Sequence, residues 1–159
     1  MTRMLGIDLG ERRIGLAVGD TATGSVVPLA TIRRGEVERD ARTILSISRE
    51  QRIVELVVGL PLNMNGSAGA QAGATREWAL VVAELTALPV SWRDERLTTE
   101  DAIGRAGRQS RGRAGGPPSA PARRAYSARL DRLAAAAIVQ AEIDARRALA
   151  ETGLVGVDE

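Results

Sequence analysis

The chain contains no cysteine and no histidine. Without cysteine there is no disulfide and no thiolate nucleophile. Without histidine, Ser-His-Asp and Cys-His catalysis and histidine-ligated zinc are excluded. Lysine is also absent, so every basic side chain is arginine. Any catalysis must rest on carboxylates, hydroxyls, arginine and bound metal. Phenylalanine is missing and aromatics make up 2% of the chain, so the core must be built from Val, Ile, Leu and Ala. No run approaches the roughly 18 consecutive apolar residues of a membrane span, and no membrane partner is expected. The N-terminus enters a strand pattern at once, without the charged and apolar regions of a signal peptide. A cytoplasmic protein is therefore expected, with Asn65-Gly66-Ser67 an ordinary turn.

What is present suits one compact domain. The 159 residues are 44% hydrophobic, enough for a real core. We expect a single domain over residues 1–150 and a tail over 151–159. The net charge is only +2, but it is unevenly spread. Between Asp101 and Asp131 stand Arg105, Arg108, Arg111, Arg113, Arg123, Arg124 and Arg129, with no acid among them. A basic segment in an otherwise acidic chain suits a polyanionic partner; a solvated loop is the plainer alternative.

Periodicity gives the elements. Arg3 to Gly10 alternates, with Leu5, Ile7 and Leu9 on one side and Met4, Gly6 and Asp8 on the other, which predicts a strand. Glu11-Arg12-Arg13 turns the chain into a second strand, Ile14 to Val18, forming a hairpin. Val26 to Arg33 is a third strand. Val37, Ala41, Ile44 and Leu45 share a helical face, which predicts a helix from Glu36 to about Arg52. Ile53 to Leu60 is a nearly continuous apolar run, as in a parallel strand covered on both faces. A second helix is expected from about Ala70 to Leu88 and a fifth strand from Pro89 to Arg93. Thr98 to Asp101 resembles a helix cap. The Gly-, Pro- and Arg-rich stretch at about 105–126 is expected to be mobile, and a last helix to start near Ser127. The order gives an α/β fold: a mixed five-stranded sheet with helices on both faces.

Three acidic places stand out: Asp8 on the first strand, Asp94-Glu95 at the end of the fifth, and Asp131 near the start of the last helix. The first, fourth and fifth strands should run parallel, which brings Asp8 and Asp94-Glu95 to the C-terminal edge of the sheet. An acid among apolar residues in a central strand is costly unless paired, which favours function for Asp8. Asp94 and Glu95 could equally be a solvated strand end, and Asp131 a partner of the helix dipole. Clustered carboxylates repel one another, and a divalent cation such as Mg²⁺ removes that penalty while taking oxygen ligands. Two such ions can activate water and stabilise the leaving oxygen of a phosphodiester.

Four blocks carry a resemblance. Leu5-Gly6-Ile7-Asp8-Leu9-Gly10 with Arg13-Ile14-Gly15-Leu16-Ala17-Val18 is the first. Val57-Val58-Gly59-Leu60-Pro61-Leu62-Asn63-Met64-Asn65-Gly66 is the second, and Asp94-Glu95-Arg96-Leu97-Thr98-Thr99 the third. Leu130-Asp131-Arg132-Leu133-Ala134-Ala135, followed by Ile138-Val139-Gln140, is the fourth. In order and over residues 5–140, they resemble the YqgF family, also called RuvX or pre-16S rRNA nuclease. The resemblance implies an RNase H-like, RuvC-like fold and trimming of the 5′ end of the small-subunit rRNA precursor, with DNA junction or single-strand cleavage as the alternative. It implies Mg²⁺ or Mn²⁺ as cofactor, nucleic acid as partner and a homodimer as an allowed assembly. Asp8, Glu95 and Asp131 map onto the catalytic acids and metal ligands, with Asp94 as substitute or support for Glu95. On this reading Asp8 bridges the metals, Glu95 holds the one nearer the leaving group, and Asp131 the one that activates water. Ala134 and Ala135 stand where RuvC-like enzymes often carry a further acid, so three acids would have to suffice. Arg96, Arg105, Arg108, Arg111, Arg113, Arg123 and Arg124 would hold phosphates, and with only Trp78, Trp92 and Tyr126 to stack on bases, weak sequence readout is expected.

Two rival readings compete. Asp8-Leu9-Gly10 also resembles the phosphate-cradling turn of sugar kinases and actin-like ATPases, which need two copies of the fold around a cleft. A non-catalytic RNA-binding ribosome-assembly factor would bind without cutting.

Overall fold

The computed structural model describes residues 2–63, 65–95, 104, 107, 111–112, 115–153. Its elements are β1 (Arg3–Leu9), β2 (Arg13–Asp20), β3 (Val26–Arg33), α1 (Val37–Glu50), β4 (Glu55–Leu60), α2 (Ala70–Thr86), β5 (Val90–Asp94) and α3 (Ala120–Glu151). The five strands form one sheet in the order β3-β2-β1-β4-β5. β1 and β2 pair antiparallel, as do β2 and β3, whereas β1, β4 and β5 run parallel. The mixed sheet is the one expected, with β1 at its centre.

Period-two alternation gives each strand two apolar faces. Leu5, Ile7, Leu9, Ile14, Leu16, Leu56 and Val58 point one way and meet Ala41 and Ile44 of α1 and Trp78, Ala79 and Val82 of α2. Asp40, in the first turn of α1, ties this layer together. Its carboxylate accepts the Gly35 N–H at 2.9 Å and the Trp78 indole N–H at 3.3 Å, which satisfies a buried acid.

The opposite face belongs to α3. Met4 and Val57 pack there against Ile138, Val139 and Ile143, and Ala17 against Ala135 and Ala136. Small residues on both sides bring the helix down onto the sheet. A Cβ at Gly6 would lie 2.6 Å from the Ala135 carbonyl oxygen. Ala134 and Ala135 are buried at this contact. Further along, Glu142 is buried and pairs with Arg93 of β5 at 2.7 Å and with Arg146 at 2.9 Å; Arg146 also binds Glu55.

Most boundaries fall within two residues of expectation, and one differs by a wide margin. The last helix begins at Ala120, not near Ser127. The Ser119 hydroxyl accepts the Ala122 N–H at 3.2 Å and Pro121 sits in the first turn, a capping pattern that starts a helix within a Pro-rich stretch. Residues 120–126 of the segment expected to be mobile are thus helical. The cap expected at Thr98–Asp101 lies outside the described residues. Among the described residues, no helix is long and apolar enough to cross a membrane.

Candidate active site

The C-terminal edge of the parallel strands collects the acids, and glycines decide how closely. Asp8 is the direct cross-strand partner of Gly15. The missing side chain at Gly15 lets the main chain of Asp131 press onto the sheet, since a Cβ there would collide with the Asp131 carbonyl. Thr31 and Arg132 fix the same turn of α3. The Thr31 hydroxyl donates to the Ala128 carbonyl at 2.6 Å, and Arg132 reaches the Thr31 hydroxyl at 3.4 Å.

Gly59 does the same for Glu95. Ile7 and Val58 are partners across the parallel pair β1–β4, which sets Gly59 beside Asp8. A Cβ on Gly59 would lie 2.5 Å from Glu95 Oε2 and 2.5 Å from Ile138. The alternation of β5 completes the argument. Trp92 packs into the α1–α2 layer, so Arg93 and Glu95 share the α3 side while Asp94 is exposed. Of the two acids, Glu95 is the one that faces the α3 side.

Asp8 and Glu95 hydrogen-bond to each other. Burial raises Asp8 from its ordinary 3.8 to about 6; the bond from Glu95 opposes the rise and the charge of Asp131 adds to it. Burial likewise raises Glu95 to about 8, helped by the charge of Asp8, the bond to it and the charge of Asp94. The pair therefore retains a proton into the neutral range, shared through the hydrogen bond between the two carboxyls.

Asp131 is close enough to act on Asp8 electrostatically, and one of its two oxygens is engaged. Arg13 Nε donates to Asp131 Oδ2 at 2.6 Å. Among the described residues, no group of three or more acids stands at metal-binding spacing. The donor set nonetheless fits a hard divalent ion. It is all carboxylate oxygen, the ligand type that Mg²⁺ and Mn²⁺ take. Asp8, Glu95 and Asp131 are the residues that would hold it.

The arginines are less conclusive. Arg96, Arg105, Arg108 and Arg113 lie outside the described residues. Arg111, Arg123 and Arg124 are exposed; Arg111 donates to the Gly115 carbonyl at 3.3 Å and Arg123 to the Pro118 carbonyl at 2.7 Å. Arg124 lies two helical turns before Asp131 on the same side of α3. Sequence reasoning gave no role to Arg13, although it stands in the first motif. The signal was its period-two relation to Gly15, which puts both on the α3 side; its partner, 118 residues away, carried no local sign.

Residues 2–145 match the model of a family described as RuvX, Holliday junction resolvase. A protein of Anaeromyxobacter sp. (strain Fw109-5), named "Putative pre-16S rRNA nuclease", is 41% identical over 146 residues, covering 92% of this chain and 99% of that one. Proteins of the same name from Acidiphilium cryptum and Paracoccus denitrificans are 41% and 46% identical over 97 and 94 residues. Those two alignments span 61% and 60% of the relatives' length, and 61% and 59% of this chain. Among solved structures, RuvC of Thermus thermophilus in complex with a Holliday junction substrate superposes with a TM-score of 0.53 at 16% identity, covering 92% of this chain and 96% of that one. Free Thermus thermophilus RuvC gives the same TM-score and identity. This likeness shows the RNase H-like fold.

Proposed function

Because the chain belongs to the RuvX family, we propose that it is a cytoplasmic, divalent-metal-dependent nuclease that trims the 5′ end of the small-subunit rRNA precursor. The observation that carries the reading is the hydrogen-bonded Asp8–Glu95 pair, set beside Asp131 at the C-terminal edge of the parallel strands. Two acids held together in a partly buried place repel one another, and a functional role for the pair would account for that cost. Family membership also displaces the kinase-like rival.

The net reaction adds water across a P–O bond, leaving a phosphomonoester on one fragment and a hydroxyl on the other. When bound, Mg²⁺ or Mn²⁺ supplies Lewis-acid polarisation of the phosphate and activation of a water. The chain's own residues do the rest. Asp8, at the centre of the sheet, is fixed by the β1 ladder. Glu95, hydrogen-bonded to Asp8 from the end of β5, would hold the cation together with it. Asp131 is carried to the site by α3 and steadied by Arg13. Arg111, Arg123 and Arg124, exposed on the approach and at the start of α3, would hold backbone phosphates, which positions a strand without reading its sequence.

A second reading, cleavage of DNA junctions or single strands, is favoured by the family's description as a Holliday junction resolvase. Purified protein with Mg²⁺ or Mn²⁺, offered single-stranded RNA, single-stranded DNA and a four-way junction side by side, separates the two. Preferential RNA cleavage supports the first reading and preferential junction cleavage the second. RNA binding without cleavage under either metal would make the protein a non-catalytic assembly factor.

A further inference from the structure

A cleft of about 350 Å³ opens between the β1–β2 hairpin and α3, lined by Gly10, Glu11, Arg12, Arg13 and Asp131. It adjoins the acid site, because Asp131 belongs to both. The hairpin is braced from several sides. The Gly10 N–H donates to the Arg13 carbonyl at 2.9 Å and the Arg34 N–H to the Arg12 carbonyl at 2.8 Å. Arg34 Nη1 donates to the Gly10 carbonyl at 2.9 Å. Arg12 and Arg13 therefore project from a fixed backbone.

Arg13 meets Asp131 through Nε alone. An arginine has five N–H donors, so its two terminal nitrogens retain donors for a second acceptor. The side chain is 40% exposed, so those donors are reachable. A guanidinium with a carboxylate on one edge and an open cleft on the other suits a phosphodiester oxygen, which it can grip in a fork. Arg12, exposed on the same wall, adds a second positive charge; Glu11, also exposed there, opposes it through solvent.

We propose that Arg13 is a positioning residue that ties Asp131 to a phosphate of the substrate strand next to the one under attack, with the cleft as the subsite for that phosphate. The proposal rests on the nuclease reading. It gives one side chain two tasks: fixing where Asp131 stands, and registering the strand against it.

The test is the salt dependence of RNA binding, measured by anisotropy of a fluorescein-labelled single-stranded RNA in EDTA, so that no cleavage intervenes. Arg13→Gln should reduce the slope of log K against log salt by about 0.7, the single-strand value for one lost phosphate contact. Arg13→Lys should keep the wild-type slope, because the charge remains. Arg147→Gln should also keep it, since Arg147 lies at the opposite end of the sheet beside Thr2 and Thr21. An unchanged slope in Arg13→Gln, whether or not its melting temperature falls, overturns the proposal and leaves Arg13 as a partner of Asp131 alone. Equal losses in Arg13→Gln and Arg147→Gln overturn it in favour of diffuse charge. No affinity of the wild type for RNA or DNA, either in EDTA or with Ca²⁺ added, overturns the nuclease reading itself.

Discussion

Replacing Asp8 with asparagine should stabilise the metal-free protein at pH 8 and leave it unchanged near pH 4. The side chain stays nearly the same size and can still accept a hydrogen bond from Glu95, but it no longer ionises. The magnitude follows from the carboxyl's displacement. Its rise from 3.8 to about 6 corresponds to about 3 kcal/mol at about 1.4 kcal/mol per pH unit. Asp8 is only partly buried, so solvent reduces the realised gain to about 1–2 kcal/mol. The sign is set by which state loses its proton first. Below pH 4 both states of the wild type are protonated and carry no penalty. As pH rises from 4 to 6 the unfolded chain ionises freely while the folded one resists, so folding stability falls; above 6 the loss is complete. Asparagine escapes this loss. Urea unfolding followed by Trp78 and Trp92 fluorescence in EDTA would show it, as would a melting temperature higher by about 3–6 °C for a chain of this size. Saturating Mn²⁺ should stabilise the wild type, by about 2.7 kcal/mol at a hundredfold excess over Kd, and the variant much less. If Asp8→Asn is less stable than wild type at pH 8 in EDTA, Asp8 is a structural acid and the reasoning fails.

Three further outcomes follow from the same geometry. Mn²⁺ affinity should rise with pH up to about 8, because Glu95 is raised to about 8 and its proton competes with the ion; Glu95→Gln should flatten that dependence in a titration followed by electron paramagnetic resonance. Gly59→Ala should cost about 1–3 kcal/mol in urea unfolding, because its Cβ would stand 2.5 Å from both Ile138 and Glu95; a neutral result would mean that α3 is free to move off the sheet. Glu142→Gln should destabilise by about 1–3 kcal/mol, below the 3–5 typical of a broken buried pair, since Arg93 and Arg146 are each more than a third exposed and can turn to water.

Much of this was legible because hydrophobic periodicity carries sheet and helix alike. The strand at Val26–Arg33 matches its expected bounds, and the others fall within a few residues. Asp8 showed itself as an acid inside an apolar alternation. The start of α3 was hidden because its composition reads as disorder, and only the local Ser119 cap and Pro121 reverse that. That Glu95 and not Asp94 faces α3 was available in principle. Val90 and Trp92 mark the α1–α2 side of β5, which leaves Arg93 and Glu95 on the other. What no local pattern could supply is the pairing of Arg13 with Asp131, since long-range ion pairs depend on where α3 lands. That landing is set by glycines whose role is the space they leave.

The proposed roles of Asp8 and Glu95 are checked by incubating an end-labelled single-stranded RNA bearing the small-subunit 5′ junction with wild type, Asp8→Asn and Glu95→Gln, each in EDTA and in Mn²⁺. Cleavage is expected for the wild type in Mn²⁺ alone, with a loss of at least about a hundredfold in each variant, the scale of losing one strong electrostatic contact in a transition state. Cleavage that persists in EDTA, or in Asp8→Asn at the wild-type rate, would contradict those roles.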